Sequence, residues 1–265
     1  MSDLISQNLN MIFNSPNGEV VHALENLNFK LNEGELLTVL GPSGCGKTTL
    51  LNITAGFLRP TSGKITLGGK EINGPGVERG MVFQQGALFE WLTVTENVNF
   101  GLRMKKTDSS EISEKVFEWL NIVGLQGFGD TPTYQLSGGM QQRVALARCL
   151  INNPELILMD EPLGALDALT REKMQSLVLK IWRETKKTIV LITHSVEEAL
   201  LLGNRLFVMA PRPGRIYKEY NLPFASMGLQ GNLREIKNDV EFTTKREEIL
   251  TMIWDMEEEI MGKEF

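Results

Sequence analysis

The chain has 265 residues, 42% hydrophobic and 23% charged, and a formal net charge of −6 with no block of Lys and Arg, a balance that fits a globular protein and argues against a nucleic-acid partner. Its two cysteines, Cys45 and Cys149, do not make a disulfide framework, and the N-terminus lacks the basic-then-apolar order of a signal peptide. No apolar run approaches the ~18–20 residues needed to cross a bilayer, so the chain is not expected to span a membrane.

Residues 1–40 read as β-rich. Residues 20–24 and 27–31 nearly alternate in polarity, and Asn17-Gly18 is a hairpin turn signal. The apolar run of residues 36–40 then leads into Gly41-Pro42-Ser43-Gly44-Cys45-Gly46-Lys47-Thr48-Thr49, and residues 50–53 continue as a helix. Strand, glycine-rich loop and helix with the spacing G-x-x-x-x-G-K-T make a phosphate-binding loop. Glycines let the backbone N–H groups form a concave nest at a helix N-terminus, which attracts phosphate oxygens. Lys47 is expected to reach the outer phosphates, Thr48 to ligate Mg²⁺, and Thr49 to bond a more interior phosphate. A strand follows at 64–67, then a Gly68-Gly69 turn, then a short buried strand at 81–84.

From about residue 86 to 135 the texture is helical. Thr93-Val94-Thr95-Glu96 is a capping-box pattern, and Ile112, Val116, Trp119, Leu120 and Val123 repeat at helical spacing before Gly124, a C-terminal cap. A helix starting near Ser137 and ending at Asn153-Pro154 returns the chain to an α/β pattern. Residues 156–159 are a continuous apolar run, as expected of a parallel strand covered on both faces, and residues 188–193 read as another buried strand. Helices fall between and after them, with Met174, Leu177, Val178 and Ile181 on one face, and residues 206–209 form a further strand. Beyond about Tyr217 the chain is more polar. A short terminal helix is expected there, with Ile249, Leu250, Ile253 and Trp254 on a stripe that packs on the core.

The chemistry gathers at strand ends. Asp160 and Glu161 directly follow the run at 156–159, and ligands of open parallel sheets bind beyond the carboxyl ends of strands. Asp160 is placed to hold Mg²⁺ through water, and Glu161 to polarise an attacking water. His194 ends another buried strand at the same edge and is a candidate to hold the terminal phosphate and water in line. Gln84 ends a strand where the helical segment begins, and a glutamine there can touch Mg²⁺ or water. Leu136-Ser137-Gly138-Gly139-Met140-Gln141-Gln142 is a second anion site, with Ser137 as N-cap and two glycines exposing backbone N–H groups. One nucleotide needs one phosphate loop, so the second nest points to a nucleotide held by another copy.

With these motifs in hand, the chain resembles the ATP-binding subunits of ABC transporters over about residues 4–220. Walker A resembles residues 41–48, the signature resembles 136–142, and Walker B resembles 156–160 followed by Glu161. The D-loop resembles Ala165-Leu166-Asp167, Gln84 matches the Q-loop, His194 matches the switch histidine, and Phe13 stands where the family places an aromatic that stacks on adenine. Gly74-Pro75-Gly76-Val77-Glu78-Arg79-Gly80, Trp91-Leu92-Thr93-Val94 and Pro213-Gly214-Arg215-Ile216 further resemble the nitrate/sulfonate/taurine-type importer ATPases. The chain departs from that subclass at Glu90, Leu163 and Ser195, where Pro, Phe and Asp are usual.

The resemblance implies an α/β P-loop NTPase fold with a mostly parallel core sheet, an N-terminal antiparallel β subdomain and an inserted helical subdomain. The expected organisation is an ATPase domain at 1–220, with the helical insertion at about 86–135, and a C-terminal helical extension at 221–265. It implies ATP and Mg²⁺ as cofactors and a head-to-tail dimer with a second copy or a paralogue. Each ATP would lie between one Walker A and the Ser137, Gly138 and Gly139 of the other subunit, beside Asp167. The membrane-spanning permease subunits would be separate polypeptides, a solute-binding protein would act indirectly, and the chain would sit peripherally on the cytoplasmic face of the inner membrane. The implied function is ATP hydrolysis that energises uptake of a small solute. The alternative is a soluble ABC ATPase acting in translation or DNA repair, a class that usually carries two cassettes or long coiled-coil arms.

Overall fold

The computed structural model describes residues 2–14, 18, 20–84, 87–228 and 233–261. Asn17 of the expected turn and Gly86 at the start of the expected insertion lie outside them. Strands β1 (Leu4–Asn14) and β2 (Val20–Leu31) pair antiparallel. The two alternating segments 20–24 and 27–31 form one continuous strand, and its partner is residues 4–14, within the expected β-rich region but without an alternating pattern of their own. β1 hides because register shifts between Ser6 and Leu9, Leu9 and Met11, and Met11 and Ile12 break its period of two. Asparagines support these irregularities. Asn8 and Asn26 adopt φ of 48° and 47°. The Asn28 carboxamide accepts from the Asn8 N–H at 2.8 Å, and that of Asn10 accepts from the Asn26 N–H at 2.9 Å. Asparagine tolerates the left-handed region, and its side chain satisfies donors the ladder leaves free.

Next come β3 (Leu36–Leu40), α1 (Lys47–Ala55), β4 (Ser62–Leu67), β5 (Lys70–Glu71) and β6 (Arg79–Val82). The insertion holds α2 (Val94–Met104) and α3 (Ser109–Ile122), and the chain returns through α4 (Gly138–Leu150), β7 (Leu156–Asp160), α5 (Ala168–Thr185), β8 (Thr188–Ile192), α6 (Val196–Leu202), β9 (Arg205–Ala210) and β10 (Arg215–Asn221). One sheet is four-stranded and antiparallel, ordered β2-β1-β4-β5; the other is six-stranded, ordered β10-β9-β3-β8-β7-β6, and parallel except at β10.

The central strands are mostly apolar because alternate residues feed different cores. Leu36, Leu40, Ile157, Met159, Ile189 and Leu191 face the layer that holds α5 and α6. Leu37, Val39, Leu156, Leu158, Val190 and Ile192 face α1 and the antiparallel sheet. Neither face meets water, so the polar side chains these strands carry are hydrogen-bonded: Thr38 Oγ1 donates to the Ala199 carbonyl at 2.9 Å, and Thr188 Oγ1 accepts from the Gly34 N–H at 3.0 Å.

The insertion follows its local signals. The Glu96 N–H donates to Thr93 Oγ1 at 3.3 Å, and the Thr93 N–H donates to the Glu96 carboxylate at 2.9 Å, closing the capping box. Val94, Val98 and Leu102 of α2 meet Val116 and Leu120 of α3 and Val144 of α4 in a third core. On its other face α4 gives Leu146, Cys149 and Leu150 to the main core. One rigid helix therefore joins the insertion to the sheet.

The C-terminal region differs most from expectation. β10 is a polar edge strand in which only Tyr220 is buried, so its sequence lacks a β pattern. Then follow α7 (Phe224–Gly228), α8 (Leu233–Lys237) and α9 (Val240–Met261), the last 22 residues long rather than short. Phe224, Leu233, Ile236, Phe242, Ile249 and Met256 join the same core as α5 and α6. Of the expected stripe, Ile249 is fully buried and Leu250 and Ile253 partly, whereas Trp254 faces solvent. Glu248 pins α9 to β10: its carboxylate accepts from Lys245 at 2.7 Å, Lys218 at 2.9 Å and the Tyr220 hydroxyl at 2.8 Å. Among the described residues no helix is long and apolar enough to cross a membrane.

Ile249→Ala is expected to cost ~2–5 kcal/mol, the usual cost of emptying a buried aliphatic site. Urea unfolding measures it. A loss within about 0.5 kcal/mol, typical of a surface position, would mean that α9 merely rests on the domain.

Candidate active site

The glycine-rich loop joins β3 to α1. Gly46 precedes α1 with φ 91°, and a Cβ there would lie 2.5 Å from Leu24 Cδ2 and 2.7 Å from the Ala23 carbonyl oxygen, so only glycine fits. Lys47 is buried. Its ammonium donates to the Gly41 carbonyl at 2.7 Å and the Pro42 carbonyl at 3.0 Å, and lies 3.6 Å from Cys45 Sγ. Burial pushes the Cys45 thiol pKa up, against the opposing pull of the Lys47 charge. Ser43, Gly44 and Thr48 are exposed at the loop's mouth, and Thr49 is half-buried.

Strands β3, β8, β7 and β6 are adjacent and parallel, so their carboxyl ends share one edge. That edge carries Lys47, His194, Asp160 with Glu161, and Gln84. Glu161 has φ 45°, a left-handed conformation costly to a residue with a Cβ. Its N–H donates to the Ile192 carbonyl of β8 at 3.0 Å, which holds that conformation. Glu161 Oε1 lies 2.5 Å from His194 Nε2, and Oε2 accepts from Gln84 Nε2 at 3.3 Å. One carboxylate thus gathers residues from the ends of three strands. Gln84 lies two residues beyond β6 rather than within it. The Asp160 carboxyl pKa is raised chiefly by burial and further by the Glu161 charge, against the lowering pull of His194 and Lys47.

The second nest is elsewhere in the chain. Ser137 caps α4, its Oγ accepting from the Met140 N–H at 3.4 Å. A Cβ on Gly138 would meet nothing within 4 Å, whereas one on Gly139 would lie 2.4 Å from Thr170 Cγ2, so α4 starts pressed against α5. Asp167 caps α5, accepting from the Leu169 and Thr170 N–H groups at 3.1 and 3.0 Å. Among the described residues no hydrogen bond links residues 137–139 to the phosphate loop. Phe13 is solvent-facing on β1 opposite Val21, while the loop packs further along β2 at Ala23 and Leu24.

Sequence reasoning missed Arg171 and Glu198. Arg171 donates to the Leu163 and Leu166 carbonyls at 3.3 and 2.6 Å, holding the turn before Asp167. Glu198 is buried behind His194. The signal for it was an acidic residue three positions after Ser195, on a helix otherwise apolar nearly all round.

Residues 24–164 match the ABC transporter family. The chain is 83% identical over 264 residues, covering 100% of both chains, to the taurine import ATP-binding protein TauB of Pelagibacter ubique strain HTCC1062. It is 68% identical to that of Roseobacter denitrificans strain ATCC 33942 / OCh 114, covering 99% of this chain and 98% of the relative. Among solved structures, the dimeric post-hydrolysis state of the ATP-binding cassette MJ0796 bound to ADP and Pi superposes with a TM-score of 0.73 at 35% identity, covering 83% of this chain and 98% of that one. CbiO1 from Clostridium perfringens, part of the ABC transporter complex cbiONQ, gives 0.75 at 30% identity, covering 90% and 95%. The conjunction of phosphate loop, acidic strand end, glycine-capped helix and full-length likeness has one reading: the chain belongs to the ABC transporter family, as an ATP-binding and ATP-hydrolysing subunit.

Proposed function

We propose that this chain energises import of taurine, or a closely similar small sulfonate, through separate membrane subunits. The observation that carries the solute is the full-length likeness to taurine-import relatives; the geometry carries the chemistry. In this reading Lys47 exchanges the Gly41 and Pro42 carbonyls for phosphate oxygens, and the N–H groups of residues 43–49 cradle the chain of phosphates. Glu161 accepts a proton from the attacking water, with His194 and Gln84 fixing the direction of its carboxylate. Ser137, Gly138 and Gly139, with no hydrogen bond to their own phosphate loop among the described residues, serve a nucleotide on a second copy, and Phe13 flanks the base.

A divalent cation fits the donors at this edge. The Thr48 hydroxyl, Gln84 amide oxygen and Asp160 carboxylate are all hard oxygen ligands, and Asp160 is half-buried, which raises its carboxyl pKa. Mg²⁺, when bound, neutralises charge on the phosphate oxygens. Exposed Phe83, Trp91 and Met104 near the start of the insertion support docking of apolar membrane-subunit segments there. The chain then works peripherally at the cytoplasmic face, with the organisation expected from its sequence: a cassette at 1–220 and an appended segment at 221–265.

Deletion of the gene is expected to lower uptake of labelled taurine at least about tenfold and to leave nitrate uptake intact. Full taurine uptake in the deletion strain would remove the solute assignment without touching the ATPase.

A further inference from the structure

The link between β9 and β10, residues 211–214, lies against the phosphate loop. Gly214 at its end is buried and clipped to β2 at two points. Its N–H donates to the Ala23 carbonyl at 3.2 Å, and its carbonyl accepts from the Glu25 N–H at 2.9 Å. A Cβ on Gly214 would lie 2.4 Å from the Cys45 carbonyl oxygen and 2.5 Å from that of Ala23. Both neighbours are backbone atoms, so no side-chain rotation makes room. Gly214 is outside the left-handed region, so contact rather than conformation requires a glycine there.

The Cys45 carbonyl is thus packed against Gly214. A peptide unit is planar and trans, so its carbonyl and its N–H point in opposite directions. With the Cys45 oxygen turned to Gly214, the N–H of the same unit, that of Gly46, is directed away from this wall and toward the open side of the loop.

We propose that Gly214 is a positioning residue for nucleotide binding: by leaving room for the Cys45 carbonyl, it fixes the Cys45–Gly46 peptide and so aims the Gly46 N–H at a phosphate oxygen. The proposal rests on the phosphate-loop reading given above.

Gly214 cannot retreat from an added methyl group, because β2 holds both its N–H and its carbonyl. The Cys45–Gly46 peptide can yield, since Gly46 has no side chain to resist rotation and already sits at φ 91°. Rotation carries the N–H off the phosphate and turns the carbonyl oxygen, a partial negative charge, toward the anion.

The first test is steady-state ATPase kinetics of Gly214→Ala. KM for ATP is expected to rise at least about tenfold, as for loss of one charge-assisted hydrogen bond, while kcat stays within about threefold because the Glu161 edge is untouched. Arg215→Ala, an exposed change one residue on, should leave both constants within about twofold. A merely structural role would give the opposite split, a smaller active fraction that lowers kcat at unchanged KM. That split, or two unchanged constants, would overturn the proposal.

The second test needs no variant at Gly214. Cys45-Gly46 is the only Cys-Gly pair in the sequence, so labelling Cys at its carbonyl carbon and Gly at its nitrogen isolates one amide by NMR. In the wild type that amide proton should move downfield on saturation with Mg–ADP, as a new hydrogen bond to phosphate requires. A Gly46 amide that stays put in a protein saturated with Mg–ADP would equally sink the idea. Lys47→Ala separates the two readings. Unchanged affinity there overturns the phosphate loop itself, whereas weakened binding there beside a silent Gly46 amide overturns the role of Gly214 alone.

Discussion

Glu161→Gln is expected to bind ATP with near-normal affinity and to hydrolyse it at least ~100-fold more slowly, since general-base catalysis contributes roughly 100- to 10,000-fold. The amide has the shape of the carboxylate and still offers an oxygen to Gln84, which now donates to Glu161 Oε2 at 3.3 Å. It cannot take a proton from water. The His194 contact at 2.5 Å also loses its charge. ATP binding rests on the phosphate loop after β3, which β8 separates from β7 and Glu161, and is untouched. A subunit that binds ATP and cannot cleave it should stay closed on its partner, so size-exclusion chromatography with ATP should show a dimer that the wild type forms only transiently. Turnover within a few-fold of wild type would remove Glu161 from its role and leave the fold intact.

Lys47→Ala should lower ATP affinity by roughly one to two orders of magnitude, read by titration calorimetry, and should abolish most turnover. The lysine is buried, and its ammonium already sits inside the concave face of the loop, on the Gly41 and Pro42 carbonyls. A charge-assisted hydrogen bond of this kind contributes about 1.5–3 kcal/mol, and each 1.4 kcal/mol is a factor of ten in affinity. Removing the side chain also strands those carbonyls, so circular dichroism must first show that the variant folds. An unchanged affinity in a folded variant would sink the phosphate-loop reading.

Much of this was legible because its causes are local. The phosphate loop, the capping box at Thr93, the αL glycine after α3 and the two-faced strands each depend on a few consecutive residues. What escaped depends on partners distant in the chain. β1 was missed because its bulges are completed by asparagines of β2, and β10 because an exposed edge strand needs no apolar pattern. α7 and α8 are too short for periodicity to speak. The sequence indicated that Gln84, Glu161 and His194 all follow strands; it did not indicate that β7 lies between β6 and β8, which is what lets one carboxylate reach both others. The departures from the importer pattern have a simple physical account. Ser195 caps α6 as an aspartate would, accepting from the Glu198 N–H. Leu163 is fully buried in the main core, where another large apolar side chain serves equally. Glu90 is exposed.

The strand that launches the phosphate loop, β3, has β8 and β9 as its neighbours in the sheet. Both leave the ribosome roughly 150 residues after it, a wait on the order of ten to thirty seconds at ordinary elongation rates. The bulged hairpin and the helical insertion can form meanwhile, but β3, four of whose five residues are apolar, stays without its sheet neighbours until translation is nearly over. Nascent chains should therefore be clients of a holding chaperone, and stalled or truncated products should aggregate.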